Sequence, residues 1–182
     1  MRVFDWNCEI DIANYFMNRR QCLASLAGIA TAMASASLQA GPARFEMALP
    51  LLDGSGFLRL GADEAKGQRA TVINFWDTQC PPCLEELPML DQLSQAWKGV
   101  LWVGVSLSAV DASRRYLQAH PVRYVQLKAT QDARAMLRRA GNTSGALPYT
   151  LLLAPAGTVC ATHTGAVTQA WMEAALARCS AA

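Results

Sequence analysis

The chain reads as an α/β protein: a three-layer sandwich around a mixed central sheet, with a β-hairpin extension on its N-terminal side. Three patterns predict this. Continuous runs of β-branched and aromatic residues at 71–76 and 100–106 are the mark of strands buried on both faces. Segments of helical period alternate with them. The chain then closes on a hairpin followed by a helix, so the sheet mixes parallel and antiparallel strands.

From Phe45 to Leu60, short apolar pieces flank Asp53-Gly54-Ser55-Gly56, predicting two strands and a tight turn. Asp63 to Arg69 is polar loop. Thr71-Val72-Ile73-Asn74-Phe75-Trp76 is the first central strand, and it runs straight into Cys80-Pro81-Pro82-Cys83. Leu84, Leu87, Leu90, Leu93 and Trp97 follow at helical spacing, with Glu85, Glu86, Asp91 and Gln92 between them and Pro88 predicted to kink the helix. Val100 to Ser106 is a second buried strand, Ala109 to Ala119 a helix, Val122 to Leu127 a strand, and Gln131 to Arg139 a helix. Tyr149 to Leu153 and Thr158 to Thr162 form a hairpin across Pro155-Ala156-Gly157, and a last helix spans Thr168 to Cys179.

Composition narrows the function. Of 182 residues 52% are apolar and 16% charged, which excludes a disordered chain. A net charge of +2 lacks the basic footprint of a nucleic-acid binder, so no nucleic-acid partner is expected. Six cysteines are too few for a disulfide-stapled miniprotein, and their placement therefore matters.

Cys8 and Cys22 fall in a distinct N-terminal region. Arg19 and Arg20 precede a stretch without charge that reaches Arg44, and small residues Ala34, Ser35, Ala36 and Ala40 close its apolar part. Positive segment, apolar segment and small-residue cleavage site are the order of a secretory signal. Arg19-Arg20 also resembles a twin-arginine signal. Asp5, Glu9 and Asp11 do not belong in such a segment. Residues 1–16 are thus expected to be an upstream extension, 17–40 the signal peptide and 41–182 the folded domain. Export to the periplasm follows; left uncleaved, the same segment would anchor the domain to the membrane. No cofactor is expected.

Four cysteines remain in an oxidising compartment. Cys80 and Cys83, at i and i+3 on the first turn of a helix, project to one side and can close a small disulfide ring. The positive end of the helix dipole favours a thiolate on Cys80, making it the nucleophile and Cys83 the resolving thiol. Pro81 and Pro82 have no N–H to offer the Cys80 sulfur. A structural zinc site would need a second closely spaced pair, which Cys160 and Cys179 do not supply; no metal is expected. Cys160 and Cys179 either form a structural disulfide joining the last hairpin to the last helix or are separate small core residues. His120 and His163 have no ligand spacing.

The motifs Val72-Ile73-Asn74-Phe75-Trp76, Cys80-Pro81-Pro82-Cys83-Leu84-Glu85-Glu86-Leu87-Pro88 and Gly145-Ala146-Leu147-Pro148-Tyr149-Thr150, in this order, resemble the TlpA-like thiol-disulfide oxidoreductases of the thioredoxin superfamily, which include cytochrome c maturation reductants. The resemblance covers Phe45 to the C-terminus and implies a thioredoxin fold. It makes Cys80 the attacking and Cys83 the resolving thiol, Pro148 a cis-proline beside the disulfide, and the backbone of Leu147 a pairing edge for an extended substrate. It also makes Glu86 the proton acceptor for Cys83, because Asn74 stands where thioredoxin itself carries a buried acid. Gln79 departs from the family's usual Trp, which puts the usual partner in doubt but not the thiol chemistry.

The resulting expectation is an exported thiol-disulfide oxidoreductase acting as a reductase of protein disulfides, such as apocytochrome c, and recharged by a membrane thiol electron donor. The alternative is a copper metallochaperone of the same fold using the same two cysteines. A peroxidase would leave Cys83 without a purpose.

Overall fold

The computed structural model describes residues 44–61 and 67–181. The upstream extension and signal segment expected within residues 1–40 lie outside the described residues. Among those described, no helix is long and apolar enough to cross a membrane.

The described residues form seven strands and four helices in the order β1 (Met47–Pro50), β2 (Phe57–Leu60), β3 (Ala70–Trp76), α1 (Pro81–Ala96), β4 (Val100–Ser106), α2 (Val110–Ala119), β5 (Val125–Lys128), α3 (Ala133–Arg139), β6 (Tyr149–Leu153), β7 (Val159–Thr164) and α4 (Gln169–Cys179). The central sheet has the order β5-β4-β3-β6-β7, with β1 and β2 in a separate antiparallel pair. β3, β4 and β5 are parallel, and β6 and β7 antiparallel to their neighbours. This is the mixed sheet and thioredoxin-like α/β fold, with the expected hairpin extension.

All seven residues of β3 are buried, so the two sides of its pleat feed two cores. Ile73 and Phe75 join Val103, Val105, Leu127, Leu151 and Leu153 in a core closed by the hairpin residues Met47, Leu49 and Leu60 and by Met136 and Leu137 of α3. Val72 and Trp76 join Trp102 and Leu152 in the opposite core, closed by Leu87 and Leu90 of α1 and by Met172, Ala175 and Leu176 of α4. Asn74 lies on this second side, in register with Gly104 and Thr150.

Three expectations are refined. The α1 helix continues through Pro88 to Ala96. β5 and α3 both begin later than the sequence pattern suggests, at Val125 and Ala133. The Arg123 amide leaves the ladder and donates to the Asp91 carboxylate at 2.6 Å.

One glycine is required by packing. A Cβ on Gly104 would run into the side chain of Gln126, which crosses β4 to accept the Trp76 indole N–H at 3.1 Å. Trp76, fully buried, is thereby fixed at the end of the strand that delivers the cysteines.

Candidate active site

Between β3 and α1 the chain makes a tight, polar turn. The Asp77 carboxylate accepts the Gln79 amide at 2.8 Å, and the Asp77 carbonyl accepts the Cys80 amide at 3.2 Å. Thr78 is fastened sideways, its amide donating to the Ser108 hydroxyl at 2.8 Å. A second hydroxyl pair, Ser106 and Ser113 at 2.7 Å, ties the same β4–α2 connection to α2. Gln79 is exposed, so the surface beside Cys80 is polar where an indole would make it apolar.

Cys80 is the N-cap of α1, in extended backbone (φ −110°, ψ 95°), and Pro81 and Pro82 fill the first helical positions, where proline's missing N–H costs nothing. The amides of Cys83 and Leu84 both donate to the Cys80 carbonyl, at 3.0 and 3.2 Å. Those two first-turn N–H groups are thus committed, and the helix dipole remains to favour a thiolate at Cys80.

Cys80 and Cys83 form a disulfide with their Cα atoms 5.3 Å apart, within the ordinary range for such a bridge. Their settings differ: Cys80 is half-buried, whereas Cys83 is 0% exposed among Leu87, Leu90 and Met172. One sulfur can be approached from outside and the other only through it.

One helical turn past Cys83 stands Glu86; the i, i+3 spacing of a helix sets the two side chains on one face, about 5–6 Å apart at Cβ. Glu86 is 4% exposed. Its Oε1 accepts Asn74 Nδ2–H at 2.7 Å and its Oε2 accepts the Val167 amide at 2.9 Å. Burial disfavours the carboxylate and outweighs these two bonds, which favour it; the pKa is pushed up to about 7. Asn74 also donates to Thr150 Oγ1 at 3.2 Å, while its own Oδ1 has no partner.

The Leu147–Pro148 peptide bond is cis. Tyr149 pairs with Phe75, which places Leu147 and Pro148 at the end of the sheet where β3 gives way to the cysteine turn. Pro148 is buried, Leu147 half-buried, and the Pro148 carbonyl accepts the Gly165 amide at 2.8 Å. Cys160 and Cys179 form a second disulfide, Cα to Cα 5.6 Å, at the far end of α4.

Sequence reasoning brought Cys80, Cys83, Glu86, Leu147 and Pro148 to one end of one sheet. It did not find the amides of Gly165 and Val167, because a backbone donor leaves no signature in residue type. It also left Asp91 without a role. Asp91 is 7% exposed, held by the Arg123 amide and by its guanidinium at 2.9 and 3.1 Å. The alternation of apolar and acidic residues along α1 does carry that signal, but only once Arg123 is known to face it.

Two surface concavities of about 500 and 560 Å³ lie on the hairpin side, and neither is lined by Cys80, Cys83, Glu86 or Pro148. Cys80 lies on an open face, flanked by the exposed residues Gln79, Pro81 and Pro82. Among the described residues no three His, Cys, Asp or Glu side chains are grouped to hold a metal ion.

Comparison with known proteins agrees with this chemistry. The chain is 29% identical over 140 residues to the thiol-disulfide oxidoreductase ResA of Halalkalibacterium halodurans, covering 74% of each chain. A thioredoxin-related protein from Neisseria meningitidis serogroup B is 31% identical and superposes with a TM-score of 0.59 over 63% of this chain and 87% of that one. A thiol:disulfide interchange protein DsbE from Chlorobium tepidum shares the fold, with a TM-score of 0.62 at 23% identity over 74% of this chain and 96% of its own. The AhpC/TSA family model matches residues 46–162. The chain belongs to the AhpC/TSA family, as a thiol-disulfide oxidoreductase of the thioredoxin type.

Proposed function

We propose that this protein is an exported reductase of protein disulfides, with residues 41–182 as its working domain. One observation carries this reading: an approachable Cys80 is bonded to a fully buried Cys83, one turn from a buried carboxylate of pKa about 7. The Cys80 thiolate attacks one sulfur of a substrate disulfide, forming a mixed disulfide and expelling a substrate thiolate. Cys83 passes its proton to Glu86 and attacks the Cys80 sulfur, expelling the second substrate thiolate and leaving the Cys80–Cys83 disulfide. Two electrons have then moved to the substrate, and a membrane thiol donor restores them. The open face suits an extended protein segment lying along the backbone of Leu147 beside Pro148. Apocytochrome c is the substrate favoured by the sequence resemblance, and the polar rim at Gln79 calls for a polar contact on whichever chain binds.

A Cys83→Ser variant expressed in its native host, with thiols blocked by acid quenching, tests this. Mixed disulfides through Cys80 in the exported fraction identify the substrate and support the reading. Retention of residues 1–40 on a cytosolic protein overturns the export part. Copper bound by the unaltered protein, with no trapped species from the variant, overturns the reductase in favour of a metallochaperone.

A further inference from the structure

β7 and α4 together form an arm that runs up to the redox site and back. At its tip, the Gly165 amide donates to the Pro148 carbonyl at 2.8 Å and the Val167 amide to Glu86 Oε2 at 2.9 Å. At its base, Cys160 and Cys179 are joined. β7 is the edge of the sheet, so β6 is its one ladder partner.

That ladder is irregular at the disulfide itself. Leu152 pairs with Ala161 and Leu153 with Val159, so Cys160 is skipped. Successive residues of a regular strand point to opposite faces, yet Cys160 and Ala161 both pack against the core on the α4 side. The bulge turns Cys160 toward α4, where Cys179 is 0% exposed. Between base and tip, Met172, Ala175 and Leu176 lie in the same core as Cys83, Leu87 and Leu90, and the Thr168 hydroxyl caps α4 by accepting the Trp171 amide.

We propose that the Cys160–Cys179 disulfide is a positioning element for the redox centre: it closes the arm at the point where the ladder slips, so that the tip holds its two amides against Glu86 and Pro148. This rests on the reading of Glu86 as the proton acceptor of Cys83. With the base open, α4 shifts against its sheet, the Val167 amide loses its fixed aim, and the carboxylate is left with Asn74 as its donor. A buried carboxylate that loses a donor holds its proton more tightly.

The other titratable groups around Glu86 are few. Cys83 is on its own helix. Tyr124 is buried behind it with a pKa raised by burial, and it stays neutral. Asp91 is taken up by Arg123. His163 on β7 stands opposite Thr150 and against the Trp171 ring, 4.8 Å between centroids. Of these, His163 requires a control.

The test uses the full chain carrying Cys8→Ser and Cys22→Ser, with Cys80–Cys83 reduced and Cys160–Cys179 intact, verified by mass, mixed rapidly with an aromatic disulfide that releases a coloured thiolate. The first release reports attack by Cys80 and the second reports attack by Cys83. In the unaltered protein the second phase slows on the acid side with a midpoint near 7. In Cys160→Ala/Cys179→Ala that midpoint moves up by about half a pH unit or more, roughly a threefold loss of rate at pH 6.5. Val167→Pro, which deletes the N–H, moves it the same way, and His163→Gln leaves it in place. If the double variant does not fold, the unaltered protein with both disulfides reduced is measured instead. A merely structural bridge lowers the melting temperature and leaves the midpoint alone, and that result overturns the proposal. An acid limb that survives Glu86→Gln overturns the reading of Glu86 on which it rests.

Discussion

Glu86 and Asp91 stand on the same helix, less than two turns apart, and both side chains are buried. What they accept hydrogen bonds from is different. Asp91 receives a backbone amide and two guanidinium N–H groups, all from Arg123. Glu86 receives only neutral donors, the Asn74 carboxamide and the Val167 amide. A counter-charge makes a buried carboxylate a fastener: Asp91 pins residue 123 to α1 and thereby sets where β5 begins. Without one, the same burial leaves Glu86 with a pKa near 7, poised to take and release a proton under ordinary conditions. Position in the helix distinguishes them too, since only Glu86 is one turn from Cys83.

The largest test of that contrast is Glu86→Gln. Gln can keep the Val167 bond through its oxygen, and a flip of the Asn74 carboxamide sets the otherwise unpartnered Oδ1 against the new NH₂, so the fold should persist. Its inability to take a proton should slow release of substrate from Cys80 by about a hundredfold, within the range general bases supply. The stability of the two proteins should also differ in its pH dependence. In the native state Glu86 holds its proton up to about pH 7, against an ordinary value of 4.5. The folded chain binds more protons than the unfolded one in that window. Stability falls as pH rises through it and levels off above. The whole effect is at most about 3 kcal/mol, and Glu86→Gln should abolish it. Urea unfolding between pH 5 and 8 measures this, and an unchanged slope in the variant would remove Glu86 as its source.

Asp91→Ala should invert the pattern. Arg123 is 67% exposed at its side chain, so the ion pair itself contributes little. The loss comes from the Arg123 amide, left without its acceptor, and from the space opened beneath α1, together about 2 kcal/mol. Resolution by Cys83, measured on the folded fraction, should stay within about a factor of two of the unaltered rate, far from the hundredfold effect of a lost general base. A large kinetic loss at constant fold would mean that both acids serve the proton.

Much of this was legible in the residues. The buried strand 70–76, the Cys-Pro-Pro-Cys turn and the helix after it announce themselves by local pattern, and the parallel and antiparallel segments follow from what connects them. The site became legible where chemistry sits in a side chain: Cys80, Cys83, Glu86 and Pro148. It stayed hidden where a contact joins a side chain to backbone far along the chain. Val167 reaches Glu86 across 81 residues, and nothing about a valine marks its amide as a donor to an acid. Asp91 was missed for a related reason, because its partner lies 32 residues downstream on a different element. The fate of Cys160 depended on a ladder slip of one residue, which the alternation of β7 does not show.

Asn74 offers the finest discrimination. Among the described residues it is the one side chain that hydrogen-bonds Glu86, yet it is imperfectly satisfied, since its Oδ1 is buried without a partner. Removing the carboxamide by Asn74→Ala therefore has opposing effects on stability. A bond to a charged acceptor and one to Thr150 Oγ1 are lost, while an unpaired buried oxygen is relieved, leaving a net cost of about 1 kcal/mol. The effect on Glu86 has a single sign. Loss of a donor to the carboxylate favours the protonated form, so the acid limb of Cys83's attack should move upward by less than about one pH unit, with the rate above pH 8 unchanged. Asp91 provides the contrast inside the same protein: Arg123→Ala, which strips its guanidinium donors, should leave that limb where it was. If both substitutions move it equally, the two carboxylates titrate as one coupled system, and the separation of fastener from proton acceptor fails.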